Sequence, residues 1–209
     1  GKLAVRDSRR SLSFAQWHER THRLAAGLRA LGLEKGDRVA LLAYNCLEWM
    51  EIYAALARAG LVAVPLNFRL TAPEIAYIAE HSEARAFIVQ DALAAVVEPL
   101  RQSLGLEPGA WVGFGSEVPA GWTRYEQLIE SAPSHLPAVQ VQPADMSALM
   151  YTSGTTGRPK GAVRSHEGST LIALATALEM GFSQNDTALL VMPMCHANSL
   201  YFSHTFVHL

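Results

Sequence analysis

The sequence predicts an α/β protein, mainly parallel sheets flanked by helices. Three observations carry that prediction. Strand-like and helix-like segments alternate closely through the first half of the chain. The strand-like segments Arg38 to Tyr44 and Leu61 to Leu66 are continuous apolar runs, as strands buried on both faces are. Gly32 and Gly60 stand where helical periodicity stops, a common place for a left-handed helix terminus.

The elements follow in order. Leu3-Ala4-Val5 and Ser11-Leu12-Ser13 flank the polar turn Asp7-Ser8-Arg9-Arg10 and read as a hairpin. Ser13 and Gln16 have the spacing of a capping box, which opens a helix from Phe14 to Leu31. Trp17, Leu24, Leu28 and Leu31 recur at helical spacing and face the core. A strand over Arg38 to Tyr44 leads to a helix over Cys46 to Ala59, and Leu61 to Leu66 is the next strand. Thr71 and Glu74 form a second capping box for a short helix ending near His81. Arg85 to Gln90 is a strand, followed by a helix over Ala92 to Leu104.

The pattern weakens from Gly105 to Ala144, where Pro108, Gly109, Gly113, Gly115, Pro119 and Gly121 predict loops or short strands. Tyr125 to Glu130 reads as a helical turn, and Pro133, Pro137 and Pro143 as a spacer. Ala148 to Tyr151 is strand-like, and Ala162 to Arg164 reads as a continuing strand. Ser165 is placed to cap a helix to Met180, with Gly181 as its stop. Ala188 to Met192 reads as a strand, and a last helix starts near Asn198. The division expected is an α/β unit over 1–104, a connecting segment over 105–145, and a further unit over 146–209. The final helix presents Leu200, Tyr201, Phe202, Phe206 and Val207 with nothing after it to cover them, which reads as the first part of a longer protein.

Composition narrows the function classes. Half of the 209 residues are hydrophobic and 17% are charged, a globular composition with a large core. A net charge of −2 gives no electrostatic case for nucleic acid or an anionic membrane. No apolar run approaches the ~20 residues of a membrane span. Two separated cysteines, Cys46 and Cys195, and no signal peptide fit a reduced, cytoplasmic setting.

The chemistry concentrates in Tyr151 to Gly161, Tyr-Thr-Ser-Gly-Thr-Thr-Gly-Arg-Pro-Lys-Gly. Four hydroxyls (Thr152, Ser153, Thr155, Thr156), three glycines (Gly154, Gly157, Gly161) and Lys160 fall within eleven residues. Glycine lets backbone N–H groups approach an anion, hydroxyls donate hydrogen bonds, and lysine adds a point charge. Gly/Ser/Thr/Pro clusters alone mark ordinary surface loops. The string also departs from the common P-loop, because Lys160 follows a proline and precedes a glycine.

The full string resembles the phosphate-binding loop of the adenylate-forming superfamily: acyl- and aryl-CoA synthetases, firefly luciferase and peptide-synthetase adenylation domains. Leu12 to Trp17 is similar to that family's opening helix start. Ala57 to Asn67, a helix end, a glycine and a strand into Val64-Pro65, resembles its second signature. Met192-Pro193-Met194-Cys195-His196 resembles its fourth, with Cys195 where an aromatic is usual. The likeness runs through nearly the whole chain, and its loop is its specific part.

The resemblance implies the N-terminal part of the adenylate-forming synthetase fold, truncated, with fatty- or aryl-acid CoA ligases nearest in pattern. It implies that Thr152, Ser153, Gly154, Thr155, Thr156, Gly157 and Lys160 wrap the triphosphate of ATP. It also implies that Thr152 helps hold Mg²⁺, and that His196 walls the pocket of a carboxylic acid substrate. Coenzyme A is the acceptor it implies. The family's Tyr-Gly-x-Thr-Glu motif, ribose-binding Asp and C-terminal domain with its adenylation lysine are not in these residues, and Lys160 is not that lysine. No catalytic residue is expected within the chain, so activity is expected only with the missing C-terminal domain.

Other candidates have plainer readings. His196, His204 and His208 fall on roughly one helix face, but no Cys or carboxylate completes a zinc set. Cys195 reads as a small buried side chain, since no base accompanies it. Arg164 and His166 suit either a nucleotide contact or a helix start. A nicotinamide-binding fold lacks its glycine fingerprint, because Tyr44-Asn45-Cys46-Leu47 follows the first long strand. A structural portion with weak nucleotide binding and no catalysis, or an adenylation domain that loads a carrier protein, remain as alternatives.

Overall fold

The computed structural model describes residues 1–133, 138–152 and 158–209. A two-stranded hairpin, β1 (Leu3–Arg6) and β2 (Ser11–Ser13), precedes helix α1 (Phe14–Ala30). The chain then lays down β3 (Arg38–Leu42), α2 (Glu48–Ala59), β4 (Val62–Leu66), α3 (Ala72–His81) and β5 (Ala84–Gln90). Short helices α4 (Ala94–Val97) and α5 (Arg101–Leu104), strands β6 (Trp111–Phe114) and β7 (Thr123–Arg124) and helix α6 (Tyr125–Glu130) follow. Strands β8 (Met146–Thr152) and β9 (Lys160–Ser165) and helices α7 (His166–Met180) and α8 (Ala197–His208) complete the described elements.

The large sheet has seven strands in the order β7-β6-β5-β3-β4-β8-β9. Every pairing from β7 to β8 is parallel, and β8–β9 is antiparallel. Side chains alternate between two cores. Val39 and Leu41 of β3 face Leu24 and Leu28 of α1 and Ile52 and Leu56 of α2. Ala40 and Leu42 face Ile75 and Ile78 of α3 and Val97 of α4, together with Val64, Leu66, Phe87 and Val89. This is the mixed α/β layer that the continuous apolar strands predict.

The caps fall where the spacing puts them. Ser13 and Gln16 form the capping box of α1, Thr71 and Glu74 that of α3, and the Ser165 hydroxyl accepts the Gly168 N–H. Gly60 ends α2 at φ 69°, and a Cβ there would stand 2.8 Å from Val139, so both conformation and space require glycine.

Two expectations change. The segment Ala188 to Met192 is no strand. It joins no ladder among the described residues, and its Met192 carbonyl is instead taken by the Asn45 side chain at 2.8 Å. The helix expected over Ala92 to Leu104 breaks into α4 and α5 with 3-10 turns before each, because Pro99 has no N–H to continue the ladder. The stretch after Gly105 supplies the short strands expected there, β6 and β7, which extend the same sheet beyond β5.

Candidate active site

Strand β8 lies parallel to β4, with Ala148 beside Ala63, and carries the chain to the C-terminal edge of the sheet. There it ends at Thr152, and the chain returns along β9 from Lys160. Thr152 and Lys160 are direct partners in the β8–β9 ladder, and both are exposed. Cross-strand partners stand ≈ 4.5–5.5 Å apart at Cβ, so one hydroxyl and one ammonium share the mouth of the hairpin. Ser153, Gly154, Thr155, Thr156 and Gly157 lie outside the described residues.

Helix α3 meets both feet of that hairpin. The Tyr151 hydroxyl and His81 Nδ1 are hydrogen-bonded at 2.7 Å. The Tyr77 hydroxyl donates to the Pro159 carbonyl at 3.3 Å, and the Arg158 guanidinium lies 5.8 Å from the Tyr77 ring centroid. Burial and the neighbouring Tyr77 push the Tyr151 phenol above its usual range, so it keeps its proton near neutrality.

The second part of the site is the turn before α8. Asn45, just past β3, donates from Nδ2 to the Met192 carbonyl at 2.8 Å and accepts the Met194 N–H at 2.8 Å. The buried Tyr53 hydroxyl donates to the Met194 carbonyl at 2.9 Å. His196 is the N-cap of α8: its Nδ1 accepts the Asn198 N–H at 3.2 Å. Its ring is exposed, which leaves Nε2 for another partner. Tyr44 and Phe68 meet nearby with ring centroids 5.1 Å apart, and Arg69 covers Phe68 at 4.9 Å.

Both parts sit at one edge of the sheet. β3, β4 and β8 are adjacent and parallel, so Asn45 and Thr152 leave their strands in the same direction. Two strand spacings separate them, roughly 10 Å. The C-terminal edge of parallel strands is where ligands dock in open α/β sheets. Asn45 and Tyr53 escaped the sequence reading. Asn45 had a signal, a polar side chain directly after a buried parallel strand. Tyr53 had none, because it looks like one more core aromatic of α2.

The remaining titratable groups are less suited to chemistry. Burial pushes the thiols of Cys195 and Cys46 up, so neither is a ready thiolate. Arg164 stacks on Tyr201 of α8 at 4.3 Å and donates to its hydroxyl, which settles that side chain in helix packing. His204 and His208 line a cavity of about 250 Å³ between α2 and α8, together with His166 and Ser203, whereas His196 caps the other end of α8. Among the described residues no group of three or more His, Cys, Asp or Glu is placed to hold a metal ion. No helix described is long and apolar enough to cross a membrane.

Fold and site together define a class: an open, mostly parallel α/β domain with an exposed Thr152 and Lys160 at the end of β8 and a capped helix terminus at the same sheet edge. A family model described as AMP-binding enzyme matches residues 1–209, and the chain belongs to that family of adenylate-forming enzymes. A long-chain-fatty-acid–CoA ligase of Mycobacterium tuberculosis is 36% identical over 192 residues, 90% of this chain and 36% of the relative. A feruloyl-CoA synthase of Amycolatopsis is 36% identical over 197 residues, 94% of this chain and 37% of the relative. Among solved structures, ATP-bound MatB from Rhodopseudomonas palustris superposes with a TM-score of 0.84 at 28% identity, over 99% of this chain and 40% of that one. The chain therefore spans between a third and two fifths of the length of the curated relatives it matches.

Proposed function

We propose that this chain is the phosphate-binding portion of an ATP-dependent acid–CoA ligase. The reaction has two steps. A carboxylate oxygen attacks the α-phosphorus of ATP, the bond to the β-phosphate bridging oxygen breaks, and pyrophosphate leaves. The thiol sulfur of coenzyme A then attacks the acyl carbonyl of the acyl-AMP, releasing AMP and a thioester. The observation that carries the reading is the Tyr151 to Gly161 string on a hairpin whose exposed Thr152 and Lys160 face one another.

In this reading Thr152, Ser153, Gly154, Thr155, Thr156, Gly157 and Lys160 hold the triphosphate. Donors already in place stabilise the charge that grows on the departing pyrophosphate, and no solvent has to reorganise. The exposed Thr152 hydroxyl suits one oxygen position of a Mg²⁺ ion that neutralises the polyphosphate. With no three-ligand cluster among the described residues, the ion's other oxygens would come from the nucleotide, water and residues elsewhere. His196 offers Nε2 toward the carboxylate pocket while Nδ1 holds its ring in place.

The test is pyrophosphate release from ATP and Mg²⁺ over a panel of carboxylic acids, on this chain beside a form extended to the natural stop codon. Acid-dependent release by the longer form, cut about a hundredfold by Lys160→Ala, is the expected result. Release by the 209-residue chain itself would show that no further domain is required. If neither form responds to any acid, the ligase reading is wrong. If acid is activated but coenzyme A gives no thioester, a carrier protein is the acceptor.

A further inference from the structure

The phosphate hairpin is held from outside itself. At its entrance the Tyr151 hydroxyl is hydrogen-bonded to His81 Nδ1 at 2.7 Å. At its exit the Tyr77 hydroxyl donates to the Pro159 carbonyl at 3.3 Å. The two anchors are one turn apart on α3 and touch each other: the Tyr77 and His81 ring centroids are 5.5 Å apart and tilted by 31°. His81 in turn meets the Tyr151 ring edge-on at 5.7 Å. On the ladder side, Tyr151 is the partner of Gly161. A Cβ on Gly161 would fall 2.8 Å from the Leu149 side chain and 3.3 Å from the Tyr151 ring, so glycine gives both side chains their room.

The scaffold behind these contacts is rigid. Ile75, Ile78 and Ala79 of α3 are buried in the core beneath β3, β4 and β5. Tyr77 and Tyr151 pack at the rim of that core. A hairpin mouth tied at both ends to one helix, whose inner face is packed in the core, loses freedom before any ligand arrives, and that lowers the entropy an ordered anion complex has to offset.

We propose that Tyr77 and His81 are positioning residues, which hold the entrance and exit of the phosphate hairpin in register for a nucleotide triphosphate. The proposal rests on the ligase reading for its ligand but not for its anchoring. Neither side chain needs to touch the nucleotide. Their effect is on the geometry of Thr152 and Lys160, which follow Tyr151 and Pro159 directly.

The test uses the form extended to the natural stop codon, four single variants and one double variant. Tyr77→Phe removes the hydroxyl but keeps the ring beside Arg158. His81→Ala removes the bond to Tyr151, Tyr151→Phe removes it from the other side, and His81→Asn restores a polar atom near the Nδ1 position. Amide hydrogen exchange of the peptide from Tyr151 to Gly161 is read first, then KM for ATP, KM for the acid and kcat. In Tyr77→Phe and His81→Ala, exchange of that peptide is expected to quicken three- to tenfold, about the worth of one hydrogen bond. KM for ATP is expected to rise by a similar factor, with KM for the acid unchanged. His81→Asn should recover most of both, and the His81→Ala, Tyr151→Phe double variant should lose no more than either alone.

Unchanged exchange in the peptide overturns the anchoring. Quickened exchange with an unchanged KM for ATP overturns its bearing on the nucleotide. An unmutated protein that releases no pyrophosphate, while the variants still lose protection, sinks the ligase reading and supports the anchoring.

Discussion

Asn45 and Met194 are joined across 149 positions of sequence by one hydrogen bond, the Met194 N–H to Asn45 Oδ1 at 2.8 Å. The same amide reaches the Met192 carbonyl, so one side chain stands where a β-ladder would otherwise hold the segment. The turn that orients His196 therefore hangs on the end of β3.

That relationship makes a prediction. Asn45→Ala leaves the Met194 N–H without its acceptor and should cost about 1–2 kcal/mol of stability. In the extended form it should raise KM for the acid more than KM for ATP, because it loosens the His196 side of the site. Asn45→Asp keeps the acceptor for Met194 and loses the donor to Met192, and is expected to fall between. Urea midpoints and the two KM values check this; equal change in both KM values would count against it.

Glu51 makes the second prediction. It has no exposed surface, and Arg20 pairs with both of its oxygens. Arg10 lies 3.1 Å from Oε2, and the Tyr125 hydroxyl donates to the same oxygen at 3.0 Å. The pairs tie the N-terminal hairpin, α1 and α6 to α2. Glu51→Ala leaves the buried Tyr125 hydroxyl without its acceptor and leaves Arg20 and Arg10 only their outer partners, Glu126 and Glu48. Glu51→Ala is expected to lose about 3–5 kcal/mol, roughly 10 °C in Tm for a domain of this size. Thermal unfolding reads it, and a loss under 1 kcal/mol would refute the claim.

His204 makes the third, and it concerns pH. Its ring meets Tyr53 edge-on at 6.4 Å. Burial, with the neighbouring charges of His208, Arg164 and His166, lowers its pKa to about 4. The unfolded chain takes up this proton near 6.5. Between those values the unfolded state binds the proton and the folded state does not, so stability falls as pH drops from about 6.5 to about 4. The loss is of the order of 2–3 kcal/mol for this group. His166, also lowered by burial, adds to it in the same direction. Urea unfolding at pH 7 and pH 4.5 should show the loss, and His204→Phe should flatten it. An unchanged slope in the variant would mean that other groups carry the acid sensitivity.

Much was legible before any coordinates because the signals were local. Ser13 with Gln16 and Thr71 with Glu74 announce helix starts, since a cap and its partner are three residues apart. Gly60 and Gly181 announce helix ends, since few other residues accept a positive φ. Arg38 to Tyr44 and Leu61 to Leu66 read as buried parallel strands because both faces are covered, so apolar residues run unbroken. The Tyr151 to Gly161 string identified its family by order and composition. Ala188 to Met192 misled for the same reason: an unbroken apolar run suits a strand, but here the segment is held by the Asn45 side chain and not by a ladder.

The amino-acid order alone determined the alternation of helices and apolar strands, the caps and the phosphate-loop signature, because each depends on residues close together in the chain. Only the tertiary structure decided that β9 runs antiparallel and ends the sheet, and that Asn45 carries the segment before His196. It alone decided that Tyr77 and His81 grip the hairpin and that Glu51 is the buried hub of the N-terminal charges. Those outcomes depend on which sheet edge is open and which side chains the packed layers bring within hydrogen-bond range, and short-range pattern holds no record of either.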